Sequence, residues 1–176
     1  MQALRQFSIP FKGLKDGIHE YKFEINESFY KAFEEAPLEN SDLIVNLRLE
    51  KKPDHMLLFF SNHGTIETDC DRCTARINLP LKFENRFIVK FDENEREEDE
   101  LVYIHPESHH LDVSKLIYDQ ILLAIPLIKV YACENESPRP CNKKVLDILN
   151  KREEKSPDIN NPFGEVLKDL KITKSK

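Results

Sequence analysis

Leu43-Ile44-Val45-Asn46-Leu47-Arg48-Leu49 and, past the turn Lys51-Lys52-Pro53-Asp54, the run from Met56 to Asp69 decide the fold. Leu43, Val45, Leu47 and Leu49 take every second position. A period of two sends alternate side chains to opposite faces, which predicts a half-buried strand. The turn residues between the two runs make them a hairpin.

Outward toward the N-terminus, Gln6–Phe11 and Gly17–Ile25 also alternate, with Gly13 and Gly17 bracketing a turn. Asn26 is placed to cap a short helix through Glu35, since Phe29, Tyr30 and Phe33 share one helical face and Pro37 stops it. Outward toward the C-terminus, Ile77, Leu79, Leu81 and Phe83 alternate, and Phe87, Val89 and Phe91 resume the pattern. This predicts one long strand or a strand with a bulge, and Pro80 assigns it an edge position. Asp92–Glu100 holds seven acids against Arg96 alone, so repulsion and solvation predict a mobile loop. Asp112 is a candidate N-cap for the main core helix, about 112–125, with Leu116, Ile117, Gln120, Ile121 and Ala124 at helical spacing and Pro126 beyond. Val145, Leu146 and Leu149 predict a further short amphipathic helix. A polar linker is expected from Lys151 to Asn161, and Pro162-Phe163-Gly164 with Val166, Leu167 and Leu170 predict a docking turn at about 161–170.

The expected fold is therefore α+β, a mainly antiparallel, barrel-like sheet with one core helix and a short N-terminal helix. The 176 residues are 40% hydrophobic and 33% charged, enough for one core but not two, so a single domain over 1–150 with a tail over 151–176 is expected. The start has no apolar leader, and the longest apolar run, Ile121–Ile128, is broken by Pro126 and too short for a bilayer. A cytoplasmic location without membrane contact is the expectation.

A net charge of -6 argues against a generally basic nucleic-acid binder, since cationic side chains normally supply most of that affinity. From Cys141 onward, however, nine Lys or Arg face six Asp or Glu. Lys143, Lys144, Lys151, Arg152, Lys168, Lys171 and Lys174 are thus candidate contacts to RNA or a partner. No Gly-rich phosphate loop is present among four glycines, which excludes the common nucleotide cradles. No nucleophile elbow or histidine-glutamate metal motif occurs, and no catalytic residues are assigned. Aromatic-rich RNA-reading motifs are absent as well, and Phe59, Phe60, Phe83, Phe87 and Phe91 lie in alternating segments that predict core.

Cys70-Asp71-Arg72-Cys73 is the sharpest chemical feature. Three readings compete: half of a zinc site, a redox dithiol, or buried thiols. A redox pair sits best at a helix N-terminus, whereas this one lies between strand-like segments, with Asp69 and Asp71 opposing a thiolate. Two thiolates at a hairpin turn can take two corners of a metal tetrahedron. Cys133 and Cys141 are the candidates for the other two, although their seven-residue separation is wider than a standard half-site. His109-His110 reads as polar loop.

Taken together, the Cys-x-x-Cys closing a strand, the acidic loop, Asp112-Val113 opening a helix into Leu122-Leu123-Ala124-Ile125-Pro126-Leu127, the Cys133–Cys141 loop and the terminal Asn161-Pro162-Phe163-Gly164-Glu165-Val166-Leu167-Lys168-Asp169-Leu170 resemble the YceD family. The resemblance spans about the second two-thirds of the chain. It implies a non-enzymatic role in accumulation of 23S ribosomal RNA and in large-subunit biogenesis, with the rRNA precursor or ribosomal proteins as partners. Two alternatives stay open: a zinc- or thiol-dependent enzyme of nucleic-acid metabolism using Cys70 and Cys73, and an interaction module with no RNA link.

Overall fold

A computed structural model describes residues 4–33, 36–38, 40–130, 133 and 136–154. In chain order the elements are β1 (Ser8–Ile9), β2 (Gly17–Ile25), α1 (Glu27–Tyr30), β3 (Ser41–Lys51), β4 (His55–Asp69), β5 (Arg76–Pro80), β6 (Glu84–Phe91), β7 (Arg96–Glu98), β8 (Leu101–Ile104), β9 (Leu111–Asp112), α2 (Ser114–Ala124) and α3 (Lys143–Glu154). The class is α+β as expected. The described strands do not close into a barrel, however: the main sheet is an open path, β2-β3-β4-β6-β8-β7, with β5 added beside β4. Every pairing is antiparallel except β6 with β8.

The expected hairpin is the centre of this sheet, with β3 paired to β4 from Lys51↔Met56 to Ser41↔Ile66. Leu43, Val45, Leu47 and Leu49 are all buried, and so are Met56, Leu58 and Phe60 across from them. Burying each such side chain contributes about 1.5–3 kcal/mol, so a one-residue slip that reversed the faces would be prohibitive. Gly64 sits in the middle of β4 at φ +136, and a Cβ there would lie 2.0 Å from the carbonyl oxygen of Asp42. Only glycine lets the two strands approach this closely.

The long alternating run after the cysteines is two strands, which share one edge of β4. Asp69–Thr65 pair with β5 and Ser61–His55 with β6. Between them the buried side chain of Asn62 donates to the Leu81 carbonyl at 3.3 Å and accepts from the Phe83 N–H at 2.5 Å. The break is thus a bulge whose backbone groups are satisfied by one amide. Pro80 closes β5, which pairs only with β4, in agreement with its edge assignment.

Four further expectations fail, the first at α1, which ends at Tyr30 and does not run through Glu35. Gln6–Phe11 is not a strand: 3₁₀ turns at Arg5–Phe7 and Phe11–Gly13 flank the two residues of β1. Phe7, Ile9 and Phe11 are still buried together, as their spacing of two requires, but Pro10 has no N–H for a ladder and its ψ of 75 bends the chain out of strand geometry. The acidic run is not wholly loop, because β7 pairs with β8 and Arg96 bridges Asp92 at 3.1 Å and Glu98 at 2.7 Å while stacking on Tyr103 at 3.8 Å. One arginine in the right place offsets enough repulsion to order the turn. Finally, Lys151–Glu154 continue α3 instead of starting the linker, so this helix crosses the expected boundary at 150.

On the buried face of the sheet lie the two other helices. Asn26 caps α1 by accepting from the Ser28 N–H at 3.0 Å, whereas the N-cap of α2 is Val113 and not the expected Asp112, which ends β9 one residue earlier and accepts from the Ser114 N–H at 2.8 Å. Phe33, just after α1, stacks on Tyr118 of α2 with ring centroids 4.1 Å apart, and Leu116, Ile117 and Ile121 of α2 enter the core.

Candidate functional site: four cysteines at the root of the last helix

Cys70 and Cys73 lie in the turn between β4 and β5, 4% and 2% exposed. The turn is closed by Cys70 N–H to Ala75 O and Thr74 N–H to Cys70 O, both 2.8 Å, and it requires Thr74 at φ 54. A β-branched residue in that region is uncommon and strained. The packing around the two thiols holds it there.

Cys141 is half-buried against the same core, and its sulfur lies 2.6 Å from that of Cys133. All four thiols are free of disulfides. Four neighbours act on the Cys73 thiol: the thiols of Cys70 and Cys141 and the backbone N–H groups of Asn142 and Ala75. Burial pushes the Cys73 thiol up, but these four donors outweigh it, so it titrates below the ordinary cysteine value. Cys141 moves the other way. Its bond to the Cys133 thiol, then burial, then repulsion from Cys133 and Cys73 push it up to about 11.

The aspartates flanking the pair do not prevent this. Asp71 turns away from the sulfurs and accepts from the Lys129 N–H at 2.6 Å, while its own N–H donates to Lys129 O at 3.1 Å. The segment after α2 is thereby stitched to the cysteine turn. Asn142, the residue after Cys141, accepts from Leu146 N–H through its carbonyl at 3.1 Å, the first bond of α3. Sequence reasoning missed Asp71, Lys129 and Asn142 in these roles; Asp71 inside the Cys-x-x-Cys was the one available signal.

As ligand chemistry, four thiols suit a d¹⁰ cation such as zinc. Their geometry is not that of a finished cage, and among the described residues no group of three or more His, Cys, Asp or Glu side chains is disposed to hold a metal. Thiolates about 2.3 Å from one tetrahedral metal stand about 3.8 Å apart, so the Cys133–Cys141 edge would have to open by about 1 Å.

Of the basic candidates, Lys143, Lys144 and Lys151 are exposed on α3. Arg152 lies on α3 with its side chain outside the described residues, as are Lys168, Lys171 and Lys174 and the expected docking turn at 161–170. Lys143 and Lys144 occupy the first turn, where the helix dipole disfavours cations. The five phenylalanines form no common platform: Phe60, Phe83 and Phe87 are buried, Phe91 packs on Phe11, and Phe59 lies under Arg48 at 4.4 Å. His109 and His110 are exposed ahead of β9.

A model of the family described as large ribosomal RNA subunit accumulation protein YceD matches residues 58–171. The chain belongs to the YceD family. The match begins three residues into β4 and takes in all four cysteines, α2 and α3, while β2 and β3 lie outside it. Comparisons with curated proteins and with solved structures give no match. The YceD name links this chain to large-subunit ribosomal RNA. Among the described residues no helix is long and apolar enough to cross a membrane.

Proposed function

We propose that this chain is a non-enzymatic, cytoplasmic factor supporting 23S rRNA accumulation and large-subunit biogenesis, in which a structural zinc on Cys70, Cys73, Cys133 and Cys141 holds α3 and its lysines against an acidic body. The observation that carries this reading is that α3 opens with the bond from Leu146 N–H to the carbonyl of Asn142, the residue next to Cys141, whose sulfur lies 2.6 Å from that of Cys133. A 12-residue helix is marginal alone, and α3 exposes Ile148 at 56%, so its tether decides where Lys143, Lys144 and Lys151 point. Lysines placed against the helix dipole do not serve the helix itself, which favours a role in meeting phosphate or an acidic partner.

The test is sedimentation of protein purified without chelator against large-subunit precursors over a salt series, with zinc assayed in the same sample. Co-sedimentation that weakens with salt, at about one zinc per chain, is the expected result. Free protein in every fraction would discard the assembly role, and a zinc-free sample that still binds would discard the metal alone. A redox or metalloenzyme reading has less support, because Cys73 is 2% exposed.

A further inference from the structure

We propose that β2 is the edge through which two copies of this chain join their sheets, antiparallel, about a two-fold axis at Tyr21. β2 ends the sheet path, and among the described residues its only partner is β3. Nine consecutive residues without proline or bulge therefore present one free row of backbone donors and acceptors. Such an edge is an adhesive surface unless it is blunted or matched.

The side chains choose the match. A shared sheet must keep core-facing residues on one side, so a strand can meet its copy only in registers two residues apart. In the one register that pairs all nine residues, Tyr21 faces its own copy and Glu20 faces Lys22 of the second copy, twice by symmetry. Sliding one step places Glu20 against Glu20, and one step the other way places Lys22 against Lys22 and Glu20 against Glu24. Like charges directly opposite are destabilising, and opposite ones stabilise. Glu20 and Lys22 are exposed and have no ion pair among the described residues. Ile18, 59% exposed at the end of β2, would be covered opposite Glu24. On the inner side His19 meets Phe23 and Gly17 meets Ile25, continuing the half-buried row. The pattern repels most foreign strands while matching itself.

A single strand pair is small for an interface, which sets the dissociation constant on the order of 10–100 µM. The test is molar mass by sedimentation equilibrium on the full chain, under reducing conditions, across a concentration series. Wild type is expected to dimerise in that range. Glu20→Lys and Lys22→Glu, both on exposed positions, each weaken association about tenfold, and the double swap recovers it because the pairs are re-formed with reversed sign. Circular dichroism of each variant confirms that the fold is kept. A wild-type chain that stays monomeric at its highest soluble concentration overturns the proposal and leaves the edge to a strand of another protein. A dimer indifferent to the single changes, or one that the double swap fails to recover, overturns it equally.

Discussion

Asp71 and Lys129 clasp each other through the backbone, with Asp71 N–H donating to Lys129 O at 3.1 Å and Lys129 N–H donating to Asp71 Oδ2 at 2.6 Å. The Lys129 ammonium stands 3.9 Å from the same carboxylate, too far to add much. Replacing Asp71 by Ala leaves one backbone bond of the two. The side chain is 42% exposed, so the cost is screened to about 1 kcal/mol. Denaturant unfolding measures that loss, and amide exchange at Lys129 should quicken while exchange in β3 stays unchanged.

Cys73 carries more than a thiol's packing. Cys73→Ser removes the thiol on which Cys70, Cys141 and the Asn142 N–H act. The helical signal of α3 is expected to fall while the β signal persists, since the central hairpin does not depend on the cluster. If zinc is bound there, a chelator under reducing conditions reproduces the same selective loss in wild type. Equal helicity in the variant and the wild type would mean that Leu146 alone docks the helix.

Gly64→Ala drives a methyl carbon to within 2.0 Å of the Asp42 carbonyl at a φ of +136. Strand backbone cannot yield as a flexible side chain would. A loss of more than about 3 kcal/mol is expected, and thermal unfolding of soluble material, or failure to obtain any, reports it. Gly13→Ala is the control, because nothing lies within 4 Å of a Cβ there.

Tyr30, 2% exposed, donates to Ser41 Oγ at 2.9 Å, and Ser41 passes its own proton to Ile25 O at 2.9 Å. Tyr30→Phe removes the first bond and costs about 1 kcal/mol. Burial raises the Tyr30 hydroxyl above the usual tyrosine range. The unfolded chain thus ionises first as pH rises, so the stability linked to Tyr30 is complete below about pH 10 and disappears as pH climbs through the folded value. Wild type should lose stability on that alkaline limb, and Tyr30→Phe should lose less.

Charge on α3 is tested separately from its anchoring. Changing Lys143, Lys144 and Lys151 to Gln leaves the fold intact, since all three are exposed. If the helix meets RNA phosphate, the slope of log affinity against log salt falls by up to about three. An unchanged slope moves the contact to another surface.

The hairpin of β3 and β4 was legible because the period of two from Leu43 to Leu49 has one physical meaning, and the Asn26 cap because its side chain bonds to the N–H two residues on, while the cap of α2 fell one residue after the expected Asp112. The ordered acidic hairpin was not legible. Its order depends on Arg96 meeting Asp92, Glu98 and Tyr103 at once, and β8 joins β6 in parallel through residues with no strong alternation. Cys70 and Cys73 were visible as a pair, but the expectation that Asp69 and Asp71 oppose a thiolate left out the hydrogen bonds that lower Cys73 and the turn of Asp71 toward Lys129.

Local chemistry along the chain therefore determined which residues form the central strands, where two helices begin, and the family to which the chain belongs. Tertiary structure alone decided that the sheet stays open with β2 at its edge, that Asn62 turns one long strand into two, and that Cys73 meets Cys141. Those outcomes depend on groups far apart in sequence coming within hydrogen-bond reach, and a one-dimensional pattern carries no record of such distances.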